Sequence, residues 1–184
     1  MNPRFQRIGV FLSANEQIPE TYRHAARQLG EWIGKTGRTL VFGGSNRGLM
    51  QEIASAAKNA GASLTGIVPQ VLFDRGWNSS LLDETIHTRD LTDRKEQLVA
   101  QSDILVALPG GIGTLDEVFT AAGLAAIGFE GKPVVVYNVE GCYDALRELL
   151  ENLSRNGLLR ARPEEIIAFA DSFEELTEIL NRQI

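Results

Sequence analysis

Short runs of consecutive apolar residues alternate along this chain with longer segments in which apolar residues recur every three or four positions. The short runs are typical of strands buried on both faces of a sheet, and the longer segments are typical of amphipathic helices. We predict strands at residues 8–12, 39–42, 64–68, 85–88, 104–108, 134–137 and 166–170. We predict helices at residues 21–36, 48–59, 93–101, 114–127 and 143–156, and a C-terminal helix that opens on a capping box at residues 172–175.

The alternation of strands and helices predicts the fold class. Strands joined by right-handed helical crossovers form an α/β, three-layer, doubly wound parallel sheet, which is a Rossmann-like fold. A length of 184 residues without a linker, repeat or low-complexity tract predicts a single domain over residues 1–184. Residues 69–82 fit neither pattern, and FDRGWNSS within them predicts a surface loop. Ligands of such sheets bind beyond the carboxyl ends of the strands.

Composition and charge limit the kinds of partner that this protein can bind. A net charge of −6 is unfavourable for binding a nucleic-acid polymer, whose phosphates require clustered Lys and Arg, but it permits one small anion in a local pocket. The beginning of the chain lacks the hydrophobic region of a signal peptide, and no segment is apolar enough to span a bilayer, so we expect a cytoplasmic protein without a membrane partner. Cys142 is the only cysteine, which excludes an intrachain disulfide and a Cys-rich zinc site.

Two glycine clusters follow predicted strands, and each precedes a predicted helix. One is Gly43-Gly44-Ser45, and the other is PGGIGT at residues 109–114. A helix N-terminus offers unpaired N–H groups and a positive dipole end, and glycine allows an anion to approach the backbone closely. We therefore predict that PGGIGT binds a phosphate group, whereas Gly43-Gly44 fits a tight turn equally well. Neither cluster has the spacing of a Walker A loop or of a dinucleotide fingerprint.

Charged residues near these turns have two interpretations. Glu117 follows Thr114 by three positions, where an acid is often only a partner of the helix dipole. Arg94 and Lys95 belong to a charged group, Asp93 to Glu96, that could equally be a solvated helix surface. There is no GxSxG or HExxH motif, so the sequence does not support a catalytic triad or zinc hydrolysis.

Taken together, these motifs resemble those of the LOG family, the cytokinin riboside 5′-monophosphate phosphoribohydrolases, whose members are often labelled lysine decarboxylase-like. Residues 109–117 match the family pattern PGGxGTxxE in full, and Arg94-Lys95 stands where the family has its Arg-Lys pair. Gly48-Leu49-Met50 matches the family's GLM, and Lys132-Pro133-Val134, Asn138 and Gly141 match a later stretch. The resemblance runs over about residues 8–159.

The resemblance implies an enzyme that hydrolyses the N-glycosidic bond of a nucleoside 5′-monophosphate, either AMP or a cytokinin riboside monophosphate. The products are the free base and ribose 5-phosphate. It implies that Arg94 and Glu117 are catalytic and that no metal or organic cofactor is needed; a homodimer is the expected assembly. The substrate-binding residues that we predict are Gly43, Gly44, Leu91, Lys95, Gly110, Gly111, Ile112, Gly113 and Thr114. No feature marks a lysine that would bind pyridoxal phosphate, so the decarboxylase label is not supported.

The chain departs from the family pattern at several positions where we expect base recognition and subunit packing to be decided. Leu91-Thr92 stands where the family usually has Met and often His, and Ser45 and Gln51 replace glycines. Thr120 replaces a second Glu, and residues 123–126 replace Thr-Trp-x-Gln. The alternative to catalysis is a module of the same fold that binds or carries a nucleotide or another phosphate-bearing cofactor without cleaving it. Retention of both Arg94 and Glu117 favours catalysis.

Overall fold

The structure, a computed structural model, describes residues 4–127 and 131–182. These residues form one sheet of seven parallel strands in the order β4-β3-β2-β1-β5-β6-β7. The strands are β1 (Arg7–Phe11), β2 (Thr39–Phe42), β3 (Ser63–Pro69), β4 (Glu84–Thr88), β5 (Ile104–Ala107), β6 (Val134–Tyr137) and β7 (Ala168–Ala170). The chain adds strands outward from β1 to β4 and then returns to the other side of β1. This order confirms the predicted doubly wound α/β fold.

Helices cover both faces of the sheet. They are α1 (Glu20–Lys35), α2 (Gly48–Asn59), α3 (Gln70–Phe73), α4 (Leu91–Ala100), α5 (Ile112–Ala126), α6 (Asp144–Arg155), α7 (Pro163–Ile166) and α8 (Phe173–Asn181). Buried residues of α1, α2 and α8 pack in one core cluster, and those of α4, α5, α6 and α7 pack in a second. The fold therefore has the three layers that the alternating pattern predicts.

Alternate residues of one strand belong to different core clusters. In β2, Leu40 and Phe42 pack with the α1 side and Val41 packs with the α5 side. In β5, Val106 and Ala107 divide in the same way. Because both faces of these strands are buried, their positions are apolar except for Thr39, at the start of β2. This is the physical reason that the strands are recognisable as continuous apolar runs.

Most boundaries of the predicted elements lie within one residue of the prediction, and three differ from it by two residues. Helix α4 begins at Leu91 rather than residue 93, because the side chain of Asp90 caps it by accepting bonds from the Thr92 and Asp93 N–H groups. Helix α5 begins at Ile112 rather than residue 114. The predicted strand over residues 166–170 is wrong in its first part. There the Glu165 side chain accepts a bond from the Arg162 N–H, and the short helix α7 forms before β7.

Residues 69–82 contain the four-residue helix α3 followed by the predicted loop. Within the described ranges, none of the helices has both the length and the apolarity needed to cross a membrane.

Candidate active site

A cavity of about 450 Å³ opens at the carboxyl ends of β1, β2 and β5. Strand order reverses between β1 and β5, and ligands of doubly wound sheets bind at this switch point. Its walls come from the segment after β1 (Leu12, Ser13, Ala14), from the turn after β2, from the end of β3 and the loop after it, and from α4 and α5. The cavity thus lies where the predicted site residues were expected to meet.

The turn between β5 and α5 forms one wall of the cavity. The first intrahelical bond of α5 runs from the Leu115 N–H to the Gly111 carbonyl at 3.1 Å, so the preceding N–H groups have no acceptor within the helix. A side chain added at Gly111 or Gly113 would have no described atom within 4 Å, so the backbone is open at both positions. Thr114 is 4% exposed and also lines the cavity. This arrangement of free N–H groups and a hydroxyl is suited to an anion.

Arg94 of α4 and Glu117 of α5 form an ion pair in the cavity. Arg94 Nη1 lies 3.0 Å from Glu117 Oε1, and Arg94 Nε donates to the Ile67 carbonyl at 3.3 Å. Glu117 is only 6% exposed. An ion pair with so little solvent around it loses much hydration energy, so its presence in a cavity indicates a functional role more strongly than a surface pair would.

Burial controls the charge of Glu117. It raises the pKa of this carboxyl from 4.5 to about 7, and the nearby Asp116 carboxylate raises it as well, whereas Arg94 and Lys95 act in the opposite direction. A carboxyl group with a pKa close to neutrality can accept and return a proton under ordinary conditions. Among the titratable groups that line the cavity, Glu117 is therefore suited to acid–base chemistry.

The glycines of the turn after β2 leave room for side chains of the protein itself. A Cβ at Gly43 would lie 2.0 Å from Arg94 Nη2, so the guanidinium occupies the place that a side chain would need. Gly44 has a φ of +70°, and a Cβ there would lie 2.6 Å from Val68 Cγ2. Gly43 lines the cavity and Gly44 packs behind it.

The structure brings some of the predicted site residues together in the cavity, namely Gly43, Arg94, Gly111, Gly113, Thr114 and Glu117. The other predicted residues lie outside its lining. Lys95 forms an ion pair with Asp116, with Nζ 2.9 Å from Oδ1, and Gly110 lies against the Thr114 side chain. Leu91 and Ile112 are 63% and 83% exposed at the starts of α4 and α5. The binding and catalytic roles of all these residues stay predictions.

Several residues that line the cavity were not among those predicted: Ser13, Ser45, Arg47, Met50, Leu72 and Trp77. Of these, Trp77 had a signal in the sequence, because a tryptophan in an otherwise polar loop is unusual. The loop position alone did not indicate which part of the molecule it contacts.

A larger groove of about 550 Å³ lies between α6, α7 and β7. It lacks a glycine-rich strand end, and its Arg147 is held by Asp171, with Nη2 2.6 Å from Oδ1. In the described part of the chain, no group of three or more His, Cys, Asp or Glu side chains is arranged to hold a metal ion. The chemistry therefore centres on the cavity with Arg94 and Glu117.

Fold and cavity together define a doubly wound α/β protein in which an open helix N-terminus lies beside a buried Arg–Glu pair. A family model described as "possible lysine decarboxylase" matches residues 50–180. A rice protein, the probable cytokinin riboside 5′-monophosphate phosphoribohydrolase LOGL2, is 33% identical over 96% of this chain and 72% of its own length. The cytokinin riboside 5′-monophosphate phosphoribohydrolase LOG5 of Arabidopsis thaliana is 32% identical over 96% of this chain and 78% of its own. The chain belongs to the LOG family.

Solved structures of similar fold include proteins of another function. The molybdenum cofactor binding protein of Rippkaea orientalis matches with a TM-score of 0.73 and 31% identity, covering 95% of this chain and 94% of that one. The molybdenum cofactor carrier protein of Chlamydomonas reinhardtii matches with a TM-score of 0.70 and 25% identity, with the same coverage. These matches confirm the fold. They also bear on whether the protein cleaves a nucleotide or carries a phosphate-bearing cofactor without cleaving it.

Proposed function

We propose that this protein hydrolyses the N-glycosidic bond of a nucleoside 5′-monophosphate. The observation that carries the proposal is the buried Arg94–Glu117 pair in the same cavity as the open N-terminus of α5. The bond between C1′ and the base nitrogen breaks, and the oxygen of a water molecule bonds to C1′. One proton of that water reaches the departing base nitrogen. The products are the free base and ribose 5-phosphate.

The 5′-phosphate binds the first turn of α5 in this account. Gly111 and Gly113 leave the backbone open, and Thr114 adds a hydroxyl group. Glu117 lies three residues further along the helix, a rise of roughly 5 Å, which is comparable with the separation of phosphate and ribose in a nucleotide. Binding of the phosphate thereby positions the sugar beside the carboxylate, so that binding energy away from the reacting bond lowers the barrier.

Glu117 and Arg94 have different roles in the proposed reaction. Cleavage passes through a transition state in which positive charge develops on the ribose ring, and the Glu117 carboxylate stabilises that charge. Because its pKa is raised to about 7, Glu117 can also take a proton from the attacking water. Arg94 orients the carboxylate through the 3.0 Å contact and offers further donors to ribose or phosphate oxygens.

A second candidate function is carriage of a phosphate-bearing cofactor without cleavage. It is favoured by the similarity to the molybdenum cofactor proteins of Rippkaea orientalis and Chlamydomonas reinhardtii. A carrier needs the anion-binding turn, but it cleaves no bond and develops no positive charge on a ribose ring, so it does not need a buried carboxylate in the same cavity. The retained Glu117 is therefore the reason that we prefer hydrolysis, and the LOG relatives support the same choice.

Assays with AMP, GMP, CMP and isopentenyladenosine monophosphate test the proposal. Chromatography is expected to show free base and ribose 5-phosphate in equal amounts from at least one of these nucleotides. The names of the relatives favour the cytokinin nucleotide as a substrate. Release of inorganic phosphate and nucleoside would contradict the proposal, since it indicates cleavage of a different bond. Tight binding without any product would establish the carrier function instead.

We also propose a homodimer that buries the exposed face of α5. Ile112 and Phe119 lie about two turns apart on one side of this helix, and both are exposed, as is Leu124. Large apolar side chains that share an exposed helix face are typical of an interface between subunits. Light scattering on the purified protein is expected to give twice the 20.2 kDa chain mass, and Phe119→Glu is expected to shift it toward the monomer.

A further inference from the structure

Trp77 is held at the cavity by backbone contacts between two loops. The Asn46 N–H donates to the Trp77 carbonyl at 3.2 Å, and the Ser79 N–H donates to the Gly44 carbonyl at 2.7 Å. Ser45 and Asn78 form an antiparallel bridge between these two bonds. The loop that was predicted only as surface thus packs on the turn after β2 and fixes the backbone of Trp77 beside it.

The indole ring of Trp77 faces charged neighbours rather than the apolar core. The Arg47 guanidinium carbon lies 4.6 Å from the ring centroid, and the Arg75 guanidinium carbon lies 5.3 Å from it. Trp77 is 37% exposed. Trp77 and Arg47 both line the cavity, together with the apolar side chains of Met50, Val68 and Leu72. A planar aromatic surface and a guanidinium on one cavity wall are a combination that binds nucleobases.

The spacing of the strands gives the approximate separation between this wall and the turn before α5. Trp77 and Arg47 belong to the β2 side of the cavity, and Gly111 to Thr114 belong to the β5 side, with β1 between them. Two strand spacings amount to roughly 10 Å, which is comparable with the distance from the phosphate to the base of a nucleotide. Arg94 and Glu117 line the same cavity, where the ribose has to lie if its phosphate and base occupy the two walls.

We propose that Trp77 forms the base-binding wall of this site and makes it selective for purine over pyrimidine nucleotides, and that Arg47 covers the indole ring until a base replaces it. The base stacks on the face of the indole ring that Arg47 covers. Stacking of the base therefore replaces the cation–π contact of Arg47, and the ring face stays covered in both states. A purine covers more of the indole than a pyrimidine does and gains more from stacking. This inference rests on the proposed binding of a nucleoside monophosphate, but it concerns recognition and not cleavage.

Tryptophan fluorescence tests the inference directly, because the chain has only two tryptophans. The other, Trp32, is on α1 and stacks with Arg38 at 4.3 Å, away from the cavity lining. The Trp32→Phe variant therefore reports Trp77 alone, and the Trp77→Phe variant reports Trp32 alone. Titrations use Glu117→Gln as the background so that the nucleotide persists. Readings in the first seconds after mixing with chains that retain Glu117 give a second measurement that does not depend on that substitution.

We expect AMP to quench the emission of Trp77 to saturation and CMP to do so more weakly. Ribose 5-phosphate is expected to displace AMP without quenching, since it has a phosphate and a sugar but no base. The emission of Trp32 is expected to stay constant. In a companion measurement by calorimetry, Trp77→Ala is expected to weaken AMP binding about 10-fold while leaving ribose 5-phosphate binding unchanged, and Trp77→Phe is expected to retain most of the affinity because a ring remains.

The possible outcomes separate this inference from the proposed function. If calorimetry detects AMP binding while the emission of Trp77 stays constant, the stacking inference is wrong, even if AMP is cleaved. If AMP quenches Trp77 but the unmodified protein releases no base, the inference stands and the proposed hydrolysis is wrong. If calorimetry detects no binding of any nucleotide, both are overturned.

Discussion

The two glycine turns at the carboxyl ends of β2 and β5 look alike in the sequence, but they differ in what surrounds them. At the β2 turn the space beside each glycine is filled, by the Arg94 guanidinium at Gly43 and by the Val68 side chain at Gly44. At the β5 turn the space beside Gly111 is open to the cavity, with no described atom within 4 Å of the position that a Cβ would take. The first turn therefore accommodates the protein's own side chains, and the second leaves room for a ligand.

This difference separates two physical reasons for glycine that a sequence cannot distinguish. Glycine at β2 allows the Arg94 side chain to cross close to the backbone. Glycine at β5 leaves the start of α5 open, as the proposed binding of an anion requires. Substitution by alanine is consequently expected to alter catalysis at Gly43 and stability at Gly44. At Gly111 it is expected to alter substrate affinity.

Among the glycine substitutions, the largest effect is expected for Gly43→Ala. The added methyl group would lie 2.0 Å from Arg94 Nη2, so the guanidinium has to leave its place beside Glu117. A displacement of about 1 Å in a catalytic group can cost on the order of 100-fold in rate, and we expect a loss of kcat/KM for AMP of that size. If Gly43 acts through Arg94, the double variant with Arg94→Ala is expected to be no worse than Arg94→Ala alone. Additive losses would contradict this explanation.

The next effect is a loss of stability in Gly44→Ala. A left-handed backbone conformation costs a non-glycine residue about 1–2 kcal/mol, and the new Cβ would also contact Val68 Cγ2 at 2.6 Å. Gly37 provides the matched control, because its φ is +69° and no described atom lies near its Cβ position. Urea unfolding of both variants is expected to show the larger loss for Gly44→Ala. Equal losses would mean that the contact with Val68 relaxes at no cost.

A smaller effect is expected for Gly111→Ala, and it is confined to binding. The methyl group would enter the open space beside the α5 N-terminus and hinder approach of the phosphate, so we expect KM for AMP to rise about 10-fold with an unchanged midpoint of thermal unfolding. Gly123→Ala, on the same helix and also without a described neighbour at its Cβ position, is the control and is expected to leave KM unaltered. An unchanged KM in Gly111→Ala would place the anion elsewhere.

The smallest effect is a shift in the pH dependence of kcat/KM. The pKa of Glu117 is raised from 4.5 to about 7, so the carboxylate forms only as the pH rises through about 7. The value of kcat/KM for AMP, which reports the groups of the free protein, is expected to rise over the same range. The Asp116 carboxylate contributes to the raised pKa, so Asp116→Asn is expected to move this rise to lower pH. A profile that is flat on both sides of neutrality would mean that the charge of Glu117 does not limit the reaction.

Much of the fold could be predicted from the sequence because the central strands β1, β2 and β5 are buried on both faces and are polar only at Arg7 and Thr39, where β1 and β2 begin. The boundaries of α5 could not, since two glycines at its start have low helix propensity, although the first turn of a helix tolerates them. Helix α7 was missed because the residue before it is Arg162, whose side chain cannot accept a bond as the usual cap residues do. Only the reverse contact is present, in which the Arg162 N–H donates to the Glu165 side chain.

The candidate site was predictable where one local segment carries it, as in PGGIGT and Glu117. The pairing of Arg94 with Glu117 depends on how α4 and α5 pack, and the sequence alone left both residues open to a surface interpretation. The position of Trp77 depends on two backbone hydrogen bonds between loops that are distant along the chain. No periodicity or motif encodes such contacts.

The central claim is that the buried carboxylate of Glu117 drives hydrolysis, and a matched pair of variants tests it most directly. Glu117→Gln and Glu96→Gln make the same chemical change in the cavity and on the exposed surface of α4. We predict that Glu117→Gln binds AMP with nearly unaltered affinity while kcat for ribose 5-phosphate formation falls by on the order of 1,000-fold, and that Glu96→Gln retains the original kcat. Equal turnover by both variants, or bound AMP that even the unmodified protein leaves intact, would contradict the account.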